Sequence, residues 1–176
     1  KTTLLRRVAQ AIGPAACQGF YTREIREQGT RVGFMLETWQ GDLRGTLAHR
    51  DLRRGPRVGR YRVDMDVLEG VALPALKRAA ASDDIILIDE IGKMELFCAG
   101  LQKLFIACLE APNPVAATIM AAEHPFADRL KHRRDSLLWK LTRENRREMV
   151  EKLTERLAKS RNPPPAAGGP AAPGAG

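Results

Sequence analysis

DDIILIDE, residues 83–90, sets four consecutive apolar side chains, Ile85, Ile86, Leu87 and Ile88, between two pairs of acids. Strand side chains alternate between the two faces of a sheet, so an unbroken apolar run of this length needs cover on both faces, as in a central strand of a parallel sheet. A carboxylate at the C-terminal end of such a strand lies on the rim where open α/β sheets bind their ligands. Asp89 and Glu90 are therefore the first candidates for chemistry.

Downstream of this strand, Leu101, Leu104, Phe105, Cys108 and Leu109 recur at helical spacing until Pro112. VAATIM (115–120) reads as a second buried strand, a short helix is expected around Phe126 and Leu130, and SLLWKLT (136–142) reads as a last strand. Met149, Val150, Leu153 and Leu157 then stripe a terminal helix. Upstream, KTTLLRRVAQAIGP opens with a helix carrying Leu4, Leu5, Val8 and Ile12, which Gly13 and Pro14 end. CQGFYT (17–22) reads as a strand, and VGFMLET, RGTLAH and RYRVD as a partly exposed antiparallel meander. Helical spacing returns from Val67 to Ala81, with a break or restart at Pro74. Strands alternating with helices predict an α/β domain whose mostly parallel sheet is covered on both sides. The domain is expected over residues 1–160, and the end, 161–176, rich in Pro, Ala and Gly, is expected to be a disordered tail.

At 176 residues with 44% hydrophobic content the chain is long enough for one domain with its own core. Cys17, Cys98 and Cys108 are odd in number and lack metal-site spacing, so they read as packing residues in a reducing compartment, the cytoplasm. No apolar run approaches the roughly 18 residues that cross a bilayer, so no membrane partner is expected. The net charge of +8 is concentrated from Arg44 to Arg62 and from Arg129 to Arg161. Such a field attracts polyanions, and charge alone does not choose between a nucleoside triphosphate and a nucleic acid.

Lys1-Thr2-Thr3 at the opening of a helix has the form of the end of a G-x-x-x-x-G-K-[ST] phosphate loop, in which lysine reaches the β and γ phosphates and the next hydroxyl binds Mg²⁺. Asp89 then suits the metal. Glu90, one residue on, suits a base that orients and deprotonates a water for in-line attack on the γ phosphate. The same residues admit the plainer reading of a basic helix start and a solvated strand end.

GFYTREIREQGTRVGF (19–34), VALPAL (71–76), IDEIGKMELF (88–97) and LTRENR (141–146) together resemble the THEP or cancer-related nucleoside triphosphatases, over nearly the whole chain from Lys1 to about Leu157. The resemblance implies a P-loop fold, a three-layer sandwich with an extra strand between the phosphate-loop strand and the Asp-bearing strand. It also implies Mg²⁺-dependent hydrolysis of several nucleoside triphosphates, ATP and GTP among them, to diphosphate and phosphate. On that pattern Lys1 contacts phosphate, Thr2 and Asp89 hold Mg²⁺, Thr3 lies beside them and Glu90 addresses the water. Lys93 either lends positive charge to the transferring phosphoryl group or pairs with Glu95. Arg143 and Asn145 either contact the nucleotide or cap a helix, and Thr22, Arg23 and Glu24 lie on the same expected rim.

Two departures accompany the resemblance. The first strand and the phosphate-loop glycines would precede residue 1, so the expectation is a domain truncated at its phosphate loop. The family's usual Gly-Thr in the VAATIM strand is Ala117-Thr118, which puts a polar sensor there in question. His124 reads as a solvated loop residue. Two rival functions remain. One is a nucleotide or small-molecule kinase, against which Glu90 speaks. The other is an RNA-binding module using the basic stretches, for which 5% aromatic content leaves few stacking platforms.

Overall fold

The computed structural model describes residues 2–161; Lys1 and residues 162–176, with nearly all of the expected tail, lie outside it. Seven strands form one sheet in the order β4-β5-β3-β2-β1-β6-β7. They are β1 Cys17–Glu27, β2 Thr30–Thr38, β3 Arg44–His49, β4 Arg57–Val58, β5 Tyr61–Val63, β6 Ile85–Ile91 and β7 Val115–Ile119. The sheet is mixed: β1, β6 and β7 run parallel, while β1 to β5 are joined by antiparallel pairing, so β1 belongs to both halves.

β6 explains the layering. Ile85 and Leu87 pack with Leu5 and Val8 of α1 (Thr2–Ile12) and Leu157 of α6 (Arg146–Arg161). Ile86 and Ile88 belong to the larger cluster on the other face, with Leu76 of α3 (Leu73–Ala80) and Leu101 and Phe105 of α4 (Ala99–Glu110). All four are 0% exposed. Each fully buried side chain of this size contributes about 1.5–3 kcal/mol relative to its exposed state, so this strand anchors both outer layers. The three cysteines are buried and none is in a disulfide.

The restart expected at Pro74 takes a definite form. α2 (Met65–Val67), N-capped by the Asp64 side chain, runs into a π turn over Leu68–Ala72, and Leu73 N–H reaches back five residues to Leu68 C=O before α3 continues with Pro74 in its first turn. Proline has no N–H to donate, so the ladder shifts where its bond would fall. Around Phe126 and Leu130 the short helix is α5 (Pro125–Lys131), and His124, read as a solvated loop residue, caps it through Nδ1, which accepts from Phe126 N–H at 3.2 Å.

The strand expected over 136–142 does not form: the segment is irregular, and Leu137 and Leu138 are 61% and 60% exposed. Its apolar pattern is that of a strand, but among the described residues β7 is the sheet's last strand and none pairs with it. A strand without a partner has no ladder to satisfy its backbone groups. Of this stretch, Leu141 packs against the cluster around α1.

Gly19 in β1 sits at φ +101°, and a Cβ there would lie 2.4 Å from the Leu87 carbonyl oxygen. Only a bare backbone passes β6 at this point. Among the described residues no helix is long and apolar enough to cross a membrane.

Candidate active site

Alternation buries Ile85 and Leu87 against α1 and Ile86 and Ile88 on the other face; at the end of the strand Asp89 stands beside Thr2 of α1 and Thr118 of β7, whereas Glu90 lines a cleft with Thr22, Phe34 and Leu47. Adjacent acids therefore meet different surroundings. Asp89 is 1% exposed. Its Oδ1 accepts from the Thr118 hydroxyl of β7 at 2.6 Å, and the Thr2 hydroxyl at the start of α1 also favours its ionised form. Its Oδ2 is buried with no hydrogen-bond partner. Burial raises the Asp89 carboxyl above the usual aspartate range and the Glu90 charge adds to the rise, while the two hydroxyls oppose it. A bare, unpartnered oxygen beside a threonine hydroxyl is a donor set for a hard cation such as Mg²⁺. Among the described residues no three His, Cys, Asp or Glu side chains gather at a metal-binding spacing. A metal at this site would therefore draw its remaining ligands from phosphate and water, as Mg²⁺ does in phosphoryl-transfer sites.

Glu90, half-buried, lines a cleft of about 340 Å³ between the meander and the loops after β6 and β7. Thr22 of β1, Phe34 of β2 and Leu47 of β3 form one wall, Met94 and Met120 the other. The walls are mostly apolar, with Glu90, Glu95, Thr22 and Lys93 as the polar side chains along a space large enough for water.

The remaining expected residues divide. Thr22 reaches the cleft, whereas Arg23 bonds Glu37 at 3.0 Å and Glu24 bonds Arg26 and Arg31 on the surface of the meander. Thr3 is exposed on α1. Lys93 is exposed at the cleft rim and no Lys93–Glu95 ion pair forms among the described residues; Glu95 is buried and accepts from Gly92 N–H instead. Asn145 stands just before α6, where its carbonyl accepts from Thr142 N–H and its amide donates to Lys140 C=O, both at 2.8 Å. Both bonds go to the backbone of the segment before α6, so the side chain ties that segment together and caps no helix turn. Arg143 is exposed. Thr118 answers the question left by Ala117-Thr118, because the hydroxyl is present and spent on Asp89. The buried acid Glu95 escaped the sequence reading as anything but a partner for Lys93; its signal is a carboxylate set between Met94 and Leu96 in an apolar run.

The family model described as NTPase matches residues 1–154. The chain belongs to the NTPase family. Within it, the chain is 37% identical over 153 residues to a protein named nucleoside-triphosphatase THEP1 from Thermotoga sp. (strain RQ2), covering 87% of this chain and 86% of that one. The crystal structure of THEP1 from the hyperthermophile Aquifex aeolicus superposes with a TM-score of 0.80 at 32% identity, over 89% of this chain and 92% of the other. The solution structure of a human cancer-related nucleoside triphosphatase gives 0.76 at 32% identity, over 90% and 92%. These likenesses extend over most of the chain, so the α/β P-loop architecture is that of the family.

Proposed function

We propose that this chain, a nucleoside-triphosphate hydrolase by family, splits its substrates to nucleoside diphosphate and phosphate in a Mg²⁺-dependent reaction with broad tolerance of the base, in the cytoplasm. The observation that carries the reading is the parting of the two acids: Asp89 turns an unpartnered buried oxygen towards the start of α1, and Glu90 turns to the cleft. Asp89 and the Thr2 hydroxyl would hold Mg²⁺, and Lys1, outside the described residues, would contact the β and γ phosphates with Thr3 beside it. When bound, the metal would neutralise charge on the phosphate oxygens.

Glu90 orients a water in the cleft and accepts its proton as the water oxygen bonds to the γ phosphorus and the bond to the bridging oxygen breaks, the diphosphate leaving with that electron pair. Thr118 holds Asp89 in place and supports its ionised form. Lys93 at the rim would lend positive charge to the phosphoryl oxygens. Asn145 spends its amide on the backbone of residues 140 and 142, which leaves base contact to the exposed Arg143 and favours tolerance. Three buried cysteines outside any disulfide suit a reducing compartment.

The test is Glu90→Gln in the full-length protein. Phosphate release should fall by about 10²- to 10⁴-fold, the range of a positioned general base, while nucleotide affinity is retained. Turnover equal to the parent protein's would refute the role of Glu90.

A further inference from the structure

Nothing in that reading uses Glu95, although it is only 4% exposed and stands beside the cleft. It opens the helical turn Glu95–Phe97, and its Oε2 accepts from Gly92 N–H at 3.2 Å while Leu96 N–H donates to Gly92 C=O at 3.1 Å. One turn thus holds both backbone polar groups of Gly92, two residues after Glu90. Space is equally tight. A Cβ on Gly92 would lie 3.0 Å from Glu95 Oε2, 3.2 Å from Glu90 Cγ and 3.3 Å from Glu90 Oε1, so a methyl there would push both carboxyl side chains by a few tenths of an ångström. Gly92 is needed there for room and not for a left-handed backbone. Burial first, then the Glu90 and Asp89 carboxylates, push the Glu95 carboxyl up to about 8, so it stands beside Glu90 uncharged at neutral pH and does not repel it.

We propose that Glu95 is a positioning residue for hydrolysis: by holding the Gly92 turn against the end of β6, it fixes the direction in which the Glu90 carboxylate meets water in the cleft. The inference rests on Glu90 acting on that water. A brace of this kind acts on the transition state through Glu90 and leaves substrate binding alone, which separates it from a general loss of structure.

The experiment measures kcat and KM for nucleoside-triphosphate hydrolysis in the full-length protein carrying Glu95→Ala, Glu95→Gln, Glu90→Gln and the Glu90→Gln/Glu95→Ala pair. Glu95→Ala should lower kcat by roughly 10- to 100-fold with KM within about two-fold, the signature of a misaimed catalytic group. Glu95→Gln, which keeps a neutral acceptor for Gly92 N–H, should recover most of that loss. The double variant should be no slower than Glu90→Gln alone. Should Glu95→Ala fail to fold, Gly92→Ala supplies the same split, because its new methyl pushes on Glu90 from the other side. Multiplying losses in the double variant, no recovery with Gln, or equal changes in kcat and KM would overturn the inference and leave Glu90 in its role. Full turnover in Glu90→Gln would remove the underlying reading instead.

Discussion

Replacing Glu95 by glutamine should change how stability depends on pH. The folded protein holds the Glu95 proton up to about 8, whereas the unfolded chain releases it around the ordinary glutamate value of 4.5. Between those values the unfolded state binds fewer protons, so stability falls as pH rises, by about 1.36 kcal/mol per unit. The contribution is whole below 4.5 and gone above about 8. Glutamine has no proton to release and is free of this slope. The stability of Glu95→Gln relative to the parent should therefore rise by about 3 kcal/mol between pH 5 and pH 8, the other titrating groups being common to both. Urea unfolding at pH 5, 6, 7 and 8 measures it, since with a slope of about 1–3 kcal/mol per molar the two midpoints should move relative to one another by roughly 1–3 M. Two curves that stay parallel across the range would refute a buried, protonated Glu95.

Thr118→Val keeps the shape of the side chain but removes the 2.6 Å bond to Asp89. It should cost about 1.5–3 kcal/mol in chemical denaturation, the usual range for a hydrogen bond to a charged group, and raise the Mg²⁺ concentration needed for half-maximal hydrolysis. Gly19→Ala places a methyl 2.4 Å from the Leu87 carbonyl oxygen at positive φ, so thermal or urea unfolding should show a loss of at least about 2 kcal/mol; an unchanged midpoint would contradict the close pass of β1 over β6.

The central strand, the covering helices and the meander were legible from short-range pattern: an unbroken apolar run at 85–88, short β-prone runs between turns at 32–38 and 44–49, and a period near 3.6 at 101–109 and 149–157. SLLWKLT misled for a reason the period cannot contain. Alternation reports which side chains want cover and says nothing of whether a neighbouring strand exists, and among the described residues none pairs with 136–142. In the candidate site Asp89 and Glu90 could be read from their place at a strand end. Glu95 could not, because the cleft it stands beside is built from residues far away in sequence, Phe34 and Leu47 on one wall and Met120 on the other. Asn145 is the converse case: three hydrogen bonds within residues 140–145 hold it to the segment before α6, a local pattern of the kind Asn makes with neighbouring backbone.

Three carboxyl groups lie within seven residues, and the fold gives them different tasks by geometry alone. Asp89 stands beside Thr118 and the start of α1, Glu90 lines the cleft, and a single turn then folds Glu95 back beneath Glu90. This division depends on register, since a slip of one residue in β6 would exchange the faces of Ile85 to Ile88 and move both acids from these places. The parallel pairing sets Gly19 opposite Leu87 and Tyr21 opposite Asp89. At Gly19 the bare backbone admits the Leu87 carbonyl oxygen, and Trp39 Nε1 donates to that same oxygen at 2.8 Å. A one-residue slip would bring the side chain of Gln18 or Phe20 to the place where only glycine fits. The contact that keeps the two acids on their proper sides is thus made two residues earlier, at a glycine with no chemistry of its own.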